Sequence, residues 1–249
     1  MTDSQLATWR SEANAPFEGW DFSHLKGRRL ESALPWSFAS LAREYLRTAT
    51  HVLDMDTGGG ERLLALKDNW APHMSASEGY PPNVELAKKR LDPEGVDVRD
   101  SGDGLEMPFE DNEFDLILNR HGFFNLDEIR RTLVPGGIFL TQQVDGQNMA
   151  DLAEAFDVSY ESTYSEDEVC RNLEAQGFDI NRSKTHDCTN DFTDVGAIVY
   201  LLTAIPWVVP GFTVDSHAHH LHALQSRLEQ TGALRFHSRY FLVIARAPD

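Results

Sequence analysis

The residues with the clearest chemical potential follow an apolar strand at 51–55 and surround a turn of three consecutive glycines, 58–60. Glycines in this position leave the backbone uncovered at the start of a helix, so a ligand can approach it closely. Asp54, Asp56 and Glu61 place three carboxylates around the same turn. Because like charges repel at short range, the turn disfavours a pyrophosphate and favours a ligand that carries an ammonium and a sulfonium.

The turn departs from the dinucleotide-binding pattern Gly-x-Gly-x-x-Gly. Asp56 and Glu61 stand where that pattern has its first and third glycines around Gly58. The spacing therefore argues against an NAD oxidoreductase, and the carboxylates argue against a nucleoside triphosphate as the ligand.

A further acid, Glu78, is followed by Gly79 at the end of the second predicted strand, near residues 72–77. An ionised carboxylate at the carboxyl end of a strand can accept hydrogen bonds from both hydroxyls of an adenosine ribose. Because the glycine turn precedes it, we interpret Glu78 as a ribose-binding residue rather than as an isolated surface glutamate.

Five motifs of this chain resemble, in order and spacing, those of class I S-adenosylmethionine (SAM)-dependent methyltransferases, especially the branch often labelled methyltransferase type 11. They are Asp54-x-Asp56-x-Gly58-x-Gly60, Glu78, Asp103-Gly-Leu-Glu-Met-Pro-Phe109, Asn112-Glu-Phe-Asp-Leu-Ile-Leu118 and Leu133-Val-Pro-Gly-Gly137. The resemblance covers roughly residues 35–145, and five motifs in register are more specific than any one of them. The family usually has a glycine where this chain has Asp56.

The resemblance implies that SAM is the cofactor and S-adenosylhomocysteine the product. It places Asp54 and the glycines around the methionine portion and Glu78 on the ribose. It also makes Asp103 the acceptor for the adenine amino group, with Gly104 beside it. The predicted cofactor-binding residues are Asp54, Asp56, Thr57, Gly58, Gly60, Glu78, Gly79, Asp103, Gly104 and Asn119.

The elements that must position these residues alternate between helix and strand from residue 35 onwards. Such alternation is typical of a parallel sheet flanked by helices. Strands are predicted at 51–55, 72–77, 96–99, 114–118, 138–142, 178–183 and 240–245. We therefore predict a doubly wound, Rossmann-like α/β fold with a mostly parallel seven-stranded sheet, and the resemblance implies that its last strand is antiparallel.

The length of 249 residues suits one α/β domain with appended segments. We predict that residues 1–34 form an irregular, aromatic cap and that residues 35–249 form the SAM-binding domain. A helical insertion at about 195–231, before the last strand, is expected to act as a lid. Trp20, Trp36 and Trp207 are candidate walls for the substrate, although ordinary core packing explains them equally well.

The acceptor of the methyl group is expected to meet the residues after the strand at 114–118, because ligands bind beyond the carboxyl ends of strands in such sheets. Here Asn119 is followed by Arg120, His121, Gly122 and then Phe123, a further candidate substrate contact. His121 has the pKa range of a general base, but methyl transfer often needs only alignment of the reactants, so a histidine that merely packs is an equal alternative. The Asn-Pro-Pro-Tyr type of motif is absent, which argues against methylation of adenine N6.

The formal charge of −18 argues against a nucleic-acid partner, because phosphate contacts come from clustered Lys and Arg. The basic pairs, such as Arg130 with Arg131, are interpreted as solvated helix surface. We therefore expect a small, uncharged or cationic acceptor. An RNA methyltransferase and a SAM-binding protein without transfer activity are the alternatives.

No apolar run approaches the ~20 residues of a membrane helix and the N-terminus lacks an export signal, so a cytoplasmic protein without a membrane partner is expected. The sequence does not predict an oligomeric state. Two cysteines are too few for a disulfide scaffold. Four histidines occur between residues 217 and 222, but with only Asp215 near them we predict solvated helix and no metal.

Overall fold

The computed structural model describes residues 3–17, 22–159 and 162–249, and the predicted substrate contact Trp20 lies outside them. The helices are α1 (Asp3–Ala13), α2 (Phe38–Leu46), α3 (Glu61–Leu64), α4 (Pro81–Leu91), α5 (Leu126–Thr132), α6 (Ala150–Glu154), α7 (Glu166–Ala175), α8 (Val195–Ala204) and α9 (Ala218–Thr231). The strands are β1 (Arg29–Glu31), β2 (His51–Met55), β3 (His73–Glu78), β4 (Asp97–Asp100), β5 (Phe114–Arg120), β6 (Leu133–Val144), β7 (Asp179–Phe192) and β8 (Leu234–Arg246).

The strand order confirms the doubly wound α/β class. Within the described residues the sheet has eight strands in the order β1-β7-β8-β6-β5-β2-β3-β4. Strand β2 pairs in parallel with β3 and β5, β3 pairs with β4, and β5 pairs with β6. The last strand, β8, runs antiparallel to β6, as expected. The order reverses between β2 and β5, which makes the carboxyl ends of these two strands the usual binding edge of such a fold.

The predicted count of seven strands is wrong by one, because β1 joins β7 as an antiparallel pair. This strand covers only Arg29, Leu30 and Glu31. Three residues with two charged side chains carry neither the alternation nor the β-branched content that identifies a strand from sequence. Long-range pairing with β7, rather than local preference, therefore creates β1.

Residues Pro35–Asp145, Tyr164–His186 and Tyr240–Asp249 form one compact unit, here called unit 2. Its strands β2 and β5 are buried on both faces, which is typical of central parallel strands and explains their continuous apolar runs. Its core includes Leu53, Ile117 and Phe139. Helix α5 begins at the cap Asn125, whose side chain accepts a hydrogen bond from the Asp127 N–H.

Residues Met1–Leu34, Gly146–Thr163 and Asp187–Arg239 form the other compact unit, unit 1. Its helix α8 is apolar throughout and buried from Val195 to Leu202. The expectation that residues 1–34 are irregular is wrong for α1, which is a helix of 11 residues. Apolar residues are sparse along α1, so helical periodicity is weak there, yet its Trp9 packs in the core of unit 1. In the described residues, every helix is too short or too polar to cross a membrane.

Arg131 fixes the loop that contains the Asp103–Phe109 motif. Its guanidinium donates hydrogen bonds to the carbonyls of Phe109 (2.7 Å) and Met107 (3.0 Å). It also pairs with the carboxylates of Glu128 (2.7 Å) and Asp111 (2.9 Å). The hydrogen bond from Arg131 lowers the pKa of Glu128. The interpretation of this arginine as solvated helix surface is therefore wrong.

We predict that Arg131→Met lowers the free energy of unfolding by about 1–3 kcal/mol, since several charge-assisted hydrogen bonds are lost from a partly exposed site. Urea unfolding measures the change, and hydrogen exchange should rise in residues 103–111. The control is Arg130→Met, because Arg130 has no hydrogen bond or ion pair with any described residue; its effect should stay within about 0.5 kcal/mol. Equal effects of the two variants would contradict the role of Arg131.

Candidate active site

The glycine turn after β2 and the turn after β3 are joined by the carboxylate of Glu78. Its Oε2 accepts the Gly58 N–H at 2.7 Å, and its Oε1 accepts the N–H groups of Gly79 (3.0 Å) and Tyr80 (2.8 Å). Glu78 is buried. This one buried carboxylate accepts three backbone N–H groups and so ties together the turns at two strand ends. Gly58 has a φ of 62°, and a Cβ there would meet nothing within 4 Å, so open space lies in front of this turn.

Asp54 and Asp56 are protonated more easily than ordinary aspartates. Burial, followed by repulsion from Asp56, raises the pKa of Asp54 to about 6, although Thr57 Oγ1 donates to its Oδ2 at 2.6 Å. Burial, followed by repulsion from Glu78, raises the pKa of Asp56 to about 6. The carboxylates of Asp54, Asp56 and Glu78 therefore repel one another in this turn, and a cationic ligand would relieve the repulsion.

Asp56 fits this turn because residue 122 on the neighbouring loop is a glycine. Asp56 has a φ of 54°, a left-handed conformation that Asp tolerates better than most residues. A Cβ at Gly122 would lie 2.5 Å from both the Cβ and Oδ2 of Asp56. The Phe123 N–H donates to the Asp56 carboxylate. A side chain at position 56 is thus accommodated by the absence of one at position 122.

The turns after β3 and β4 approach each other closely at the backbone of Gly79 and Gly102. A Cβ at Gly79 would lie 2.1 Å from the Gly102 carbonyl oxygen, so position 79 accepts only glycine without movement of the backbone. Asp103 is exposed, and its Oδ1 accepts the Leu105 N–H at 3.1 Å. Gly104 has a φ of 73°, and a Cβ there would lie 3.2 Å from the ring of Phe123. Of the two predicted adenine-side residues, Gly104 thus lies beside Phe123.

Asn119 is fully buried at the end of β5 and anchors the loop that follows. Its Oδ1 accepts hydrogen bonds from Thr141 Oγ1 (3.0 Å) and Gln143 Nε2 (2.5 Å), and Gln143 Nε2 also donates to the Gly122 carbonyl at 3.1 Å. Asn119 Nδ2 has no partner among the described residues. The described residues likewise leave the buried hydroxyls of Ser77 and Ser101 without partners.

A cavity of about 310 Å³ opens beside this loop. Its lining is largely aromatic or apolar and consists of His121, Gly122, Phe123, Phe124, Gln143, Val144 and Tyr164. Two predicted residues, His121 and Phe123, therefore share one cavity. Desolvation by the surrounding side chains, followed by repulsion from Arg120 and Arg62, lowers the pKa of His121, although part of the residue is exposed to solvent.

The predicted tryptophan contacts occupy different places. Trp36 is buried, and its indole N–H donates to Gln142 Oε1 at 2.9 Å. Gln142 Nε2 lies 2.9 Å from His121 Nε2, so Trp36 reaches the cavity only through these two side chains. Trp207 is exposed in unit 1. Sequence reasoning missed the roles of Gly122, Gln142 and Gln143, since a lone glycine and two glutamines at a strand end carry no signal without their partners.

The histidines of α9 lie near a carboxylate that sequence reasoning did not consider. His220 Nε2 lies 3.0 Å from Asp157 Oδ2, and Asp157, His219 and His220 have ligand atoms within 4.8 Å of one another. Asp157 and His219 are exposed. These groups have the chemistry of metal ligands, but an exposed ion pair explains them equally well, and the expectation of no metal stays a prediction.

Residues 53–141 match the family model described as a methyltransferase domain. The match shows a methyltransferase domain within this segment of the chain. The matched segment begins in β2 and ends in β6, so it contains the glycine turn, Glu78 and the His121 loop. The assignment of individual residues to the cofactor and the acceptor stays a prediction.

Curated relatives are similar to this chain over part of its length. A demethylmenaquinone methyltransferase of Deinococcus radiodurans is 31% identical over 112 residues, which cover 41% of this chain and 46% of that protein. The chain spans about half the length of the curated relatives that it matches first. The YcgJ protein of Bacillus subtilis has a TM-score of 0.57 at 19% identity, over 85% of this chain and 98% of that one. The [4+2]-cyclase SpnF has a TM-score of 0.52 at 18% identity, over 84% and 80%. At such identities the structures show a common fold and nothing finer.

We predict that Glu78→Gln weakens SAM binding by about 1–3 kcal/mol, because an amide offers one acceptor oxygen where the carboxylate offers two. Isothermal titration calorimetry measures the change, and circular dichroism checks the fold. Glu85→Gln is the matched control, since Glu85 is exposed on α4 and has no hydrogen bond or ion pair with a described residue. An unchanged dissociation constant for Glu78→Gln would remove this residue from the cofactor site.

Proposed function

We propose that this chain transfers the methyl group of SAM to a small organic acceptor bound in the cavity beside His121. The observation that carries the proposal is the juxtaposition of a carboxylate-lined glycine turn with an aromatic cavity around the ends of two adjacent strands, β2 and β5. SAM, when bound, supplies an electrophilic methyl carbon whose bond to sulfur breaks with the electron pair remaining on sulfur. An acceptor lone pair forms the new bond.

The charges and the unpartnered polar atoms of the site support SAM as the cofactor. Asp54 and Asp56 offer negative charge to a ligand with an ammonium and a sulfonium, and Glu78 keeps the turn beside them in place. The buried hydroxyls of Ser77 and Ser101 lack partners among the described residues, as expected where a polar ligand completes the hydrogen bonding. The open space at Gly58 supplies room for it.

The size and lining of the cavity support a small acceptor. A volume of about 310 Å³ is at the lower end of the range for small-molecule sites. Phe123, Phe124 and Tyr164 give the cavity aromatic walls against which a small organic molecule can pack. The formal charge of −18 disfavours RNA, and the name of the Deinococcus relative gives a quinone-type small molecule as its substrate.

The second candidate is a SAM-binding protein without transfer activity. Two observations favour it: Asp56 in place of the family's glycine, and the sharing of this fold with a protein named as a [4+2]-cyclase. Since fold does not determine reaction, transfer has to be measured directly.

We expect methyl transfer from radiolabelled SAM to acceptors in a small-molecule extract, together with SAM binding by calorimetry. Asp56→Gly should tighten SAM binding by no more than about tenfold, because relief of the left-handed strain is offset by loss of an attractive charge. If the unaltered protein binds neither SAM nor S-adenosylhomocysteine and Asp56→Gly binds both, the methyltransferase proposal fails for this chain. Binding without transfer would favour the second candidate.

SAM affinity should fall as the pH drops below about 6. Asp54 and Asp56 have pKa values of about 6, so at pH 5 each is about nine-tenths protonated and loses its attraction for a cation. Titration at pH 5 and pH 7.5 should differ by up to about tenfold for each carboxyl that contacts a positive group. S-adenosylhomocysteine, which lacks the sulfonium, and the variant Asp56→Asn should each depend less on pH. Equal SAM affinity at both pH values would contradict contact with these acids.

The same raised pKa values make the ligand-free protein more stable at acid pH, whereas they make SAM binding weaker there. The native pKa of each acid lies above the unfolded value of about 3.9, so between pH 4 and 6 the native state binds more protons than the unfolded state. Their favourable contribution is therefore present at acid pH and is lost as the pH rises through about 6. The ligand-free Asp56→Asn variant should unfold at a higher urea concentration than the unaltered protein at pH 7.5. It should show a smaller difference at pH 4.

A further inference from the structure

Hydrogen bonds link three side chains, Trp36, Gln142 and His121, from the core to the cavity. The indole of Trp36 determines how the other two side chains are oriented. An indole N–H is only a donor, so the atom of Gln142 that lies 2.9 Å from Trp36 Nε1 must be the amide oxygen. The amide nitrogen of Gln142 is then the atom 2.9 Å from His121 Nε2. An amide nitrogen only donates, so His121 Nε2 must accept.

The acceptor role of Nε2 determines where the imidazole carries its proton. A histidine that accepts through Nε2 is neutral and has its hydrogen on Nδ1. The residue is also held in place. Its backbone N–H donates to the backbone carbonyl of Gln142 at 2.8 Å, and its ring stacks on Tyr240 with centroids 5.7 Å apart. No described residue accepts a hydrogen bond from Nδ1, and His121 lines the cavity.

We infer that Trp36 and Gln142 are positioning residues that keep His121 as a hydrogen-bond donor through Nδ1–H, and that the methyl acceptor is an acidic hydroxyl compound bound as its anion. The part that concerns the acceptor rests on the proposed function. A phenolate or carboxylate oxygen accepts the Nδ1–H and attacks the methyl carbon. The oxygen–carbon bond forms as the carbon–sulfur bond breaks, and the electron pair goes to sulfur. No proton has to be removed by the enzyme.

Two positive side chains near His121 favour an anionic acceptor, and the carboxyl of Asp56, which lies against Gly122 of the same loop, is offset by the sulfonium when SAM is bound. The guanidinium groups of Arg120 and Arg62 act on the imidazole and oppose its protonation, and the ring of Tyr240 stacks on one face. The same positive field attracts an anionic oxygen. An anionic acceptor differs from the uncharged or cationic one that composition alone suggested.

The tautomer is tested by ¹⁵N NMR of the ligand-free protein, in which pyrrole-type and pyridine-type ring nitrogens resonate far apart. The chain has 10 histidines, and the His121 signals are those missing from His121→Asn. We expect Nδ1 to be pyrrole-type and Nε2 pyridine-type, without titration between pH 5 and 8. Trp36→Phe, which removes only the donor, should give a mixture of tautomers, and Gln142→Glu should move the proton to Nε2. A proton on Nε2 in the unaltered protein, or a titration in that range, would overturn the inference.

The role in transfer is tested with radiolabelled SAM and a panel of substituted phenols and aryl carboxylates. His121→Asn keeps an N–H at the position of Nδ1, lacks a base, and is compatible with the φ of 61° at this position. We expect kcat/KM to fall by less than about tenfold in His121→Asn and by more than about a hundredfold in His121→Leu, with the fold of both checked by circular dichroism. Equal, large losses would identify His121 as a base and overturn the donor role. If no acceptor is methylated, the proposed function fails while the NMR result still decides the tautomer.

Discussion

The carboxylate of Glu78 is the constraint on which the geometry of the binding edge depends, because it accepts backbone N–H groups from the turns after both β2 and β3. Without it, three backbone N–H groups would lose their side-chain acceptor and the two turns would lose the group that links them. The contact of Gly79 with the Gly102 carbonyl extends the same arrangement to β4. A side chain predicted to bind a ribose is thus also the one that keeps the ligand-facing backbone in a single conformation.

Asp56 and Gly122 form a complementary pair that explains how the chain accommodates an aspartate where the family it resembles usually has a glycine. The turn after β2 has Asp56 in place of a glycine, and the loop after β5 has Gly122 opposite it. A Cβ at position 122 would collide with Asp56. The aspartate adds a carboxyl group near Asp54, and repulsion between the two carboxylates contributes to the raised pKa of Asp54. The site is therefore poised for a cation, and its charge state is sensitive to mildly acidic pH.

Much of unit 2 could be predicted from the sequence, because its central strands are apolar runs ended by glycine or acidic motifs whose order carries the fold. The ends of β2, β3 and β5 lie within a residue or two of their predicted positions. What could not be predicted depends on partners distant in sequence. Strand β1 exists through pairing with β7, and Arg131 is structural because carbonyls more than twenty residues earlier reach it. Likewise, no local pattern indicates that Trp36 orients Gln142, although both residues were visible in the sequence.

The pairing of β6 with β8 has a consequence for the order of folding. Ile138 pairs with Arg246 and Val144 with Tyr240, so the antiparallel edge of β6 is covered by residues made about a hundred positions later. During synthesis, β6 presents unpaired backbone groups until residues 240–246 leave the ribosome, and such an edge is open to pairing with other chains. Closure of a loop of this length is slow relative to local helix formation. The nascent protein thus passes through a stage in which its parallel strands are available for assembly but one flank is unprotected, and chaperone binding at this stage would favour correct folding.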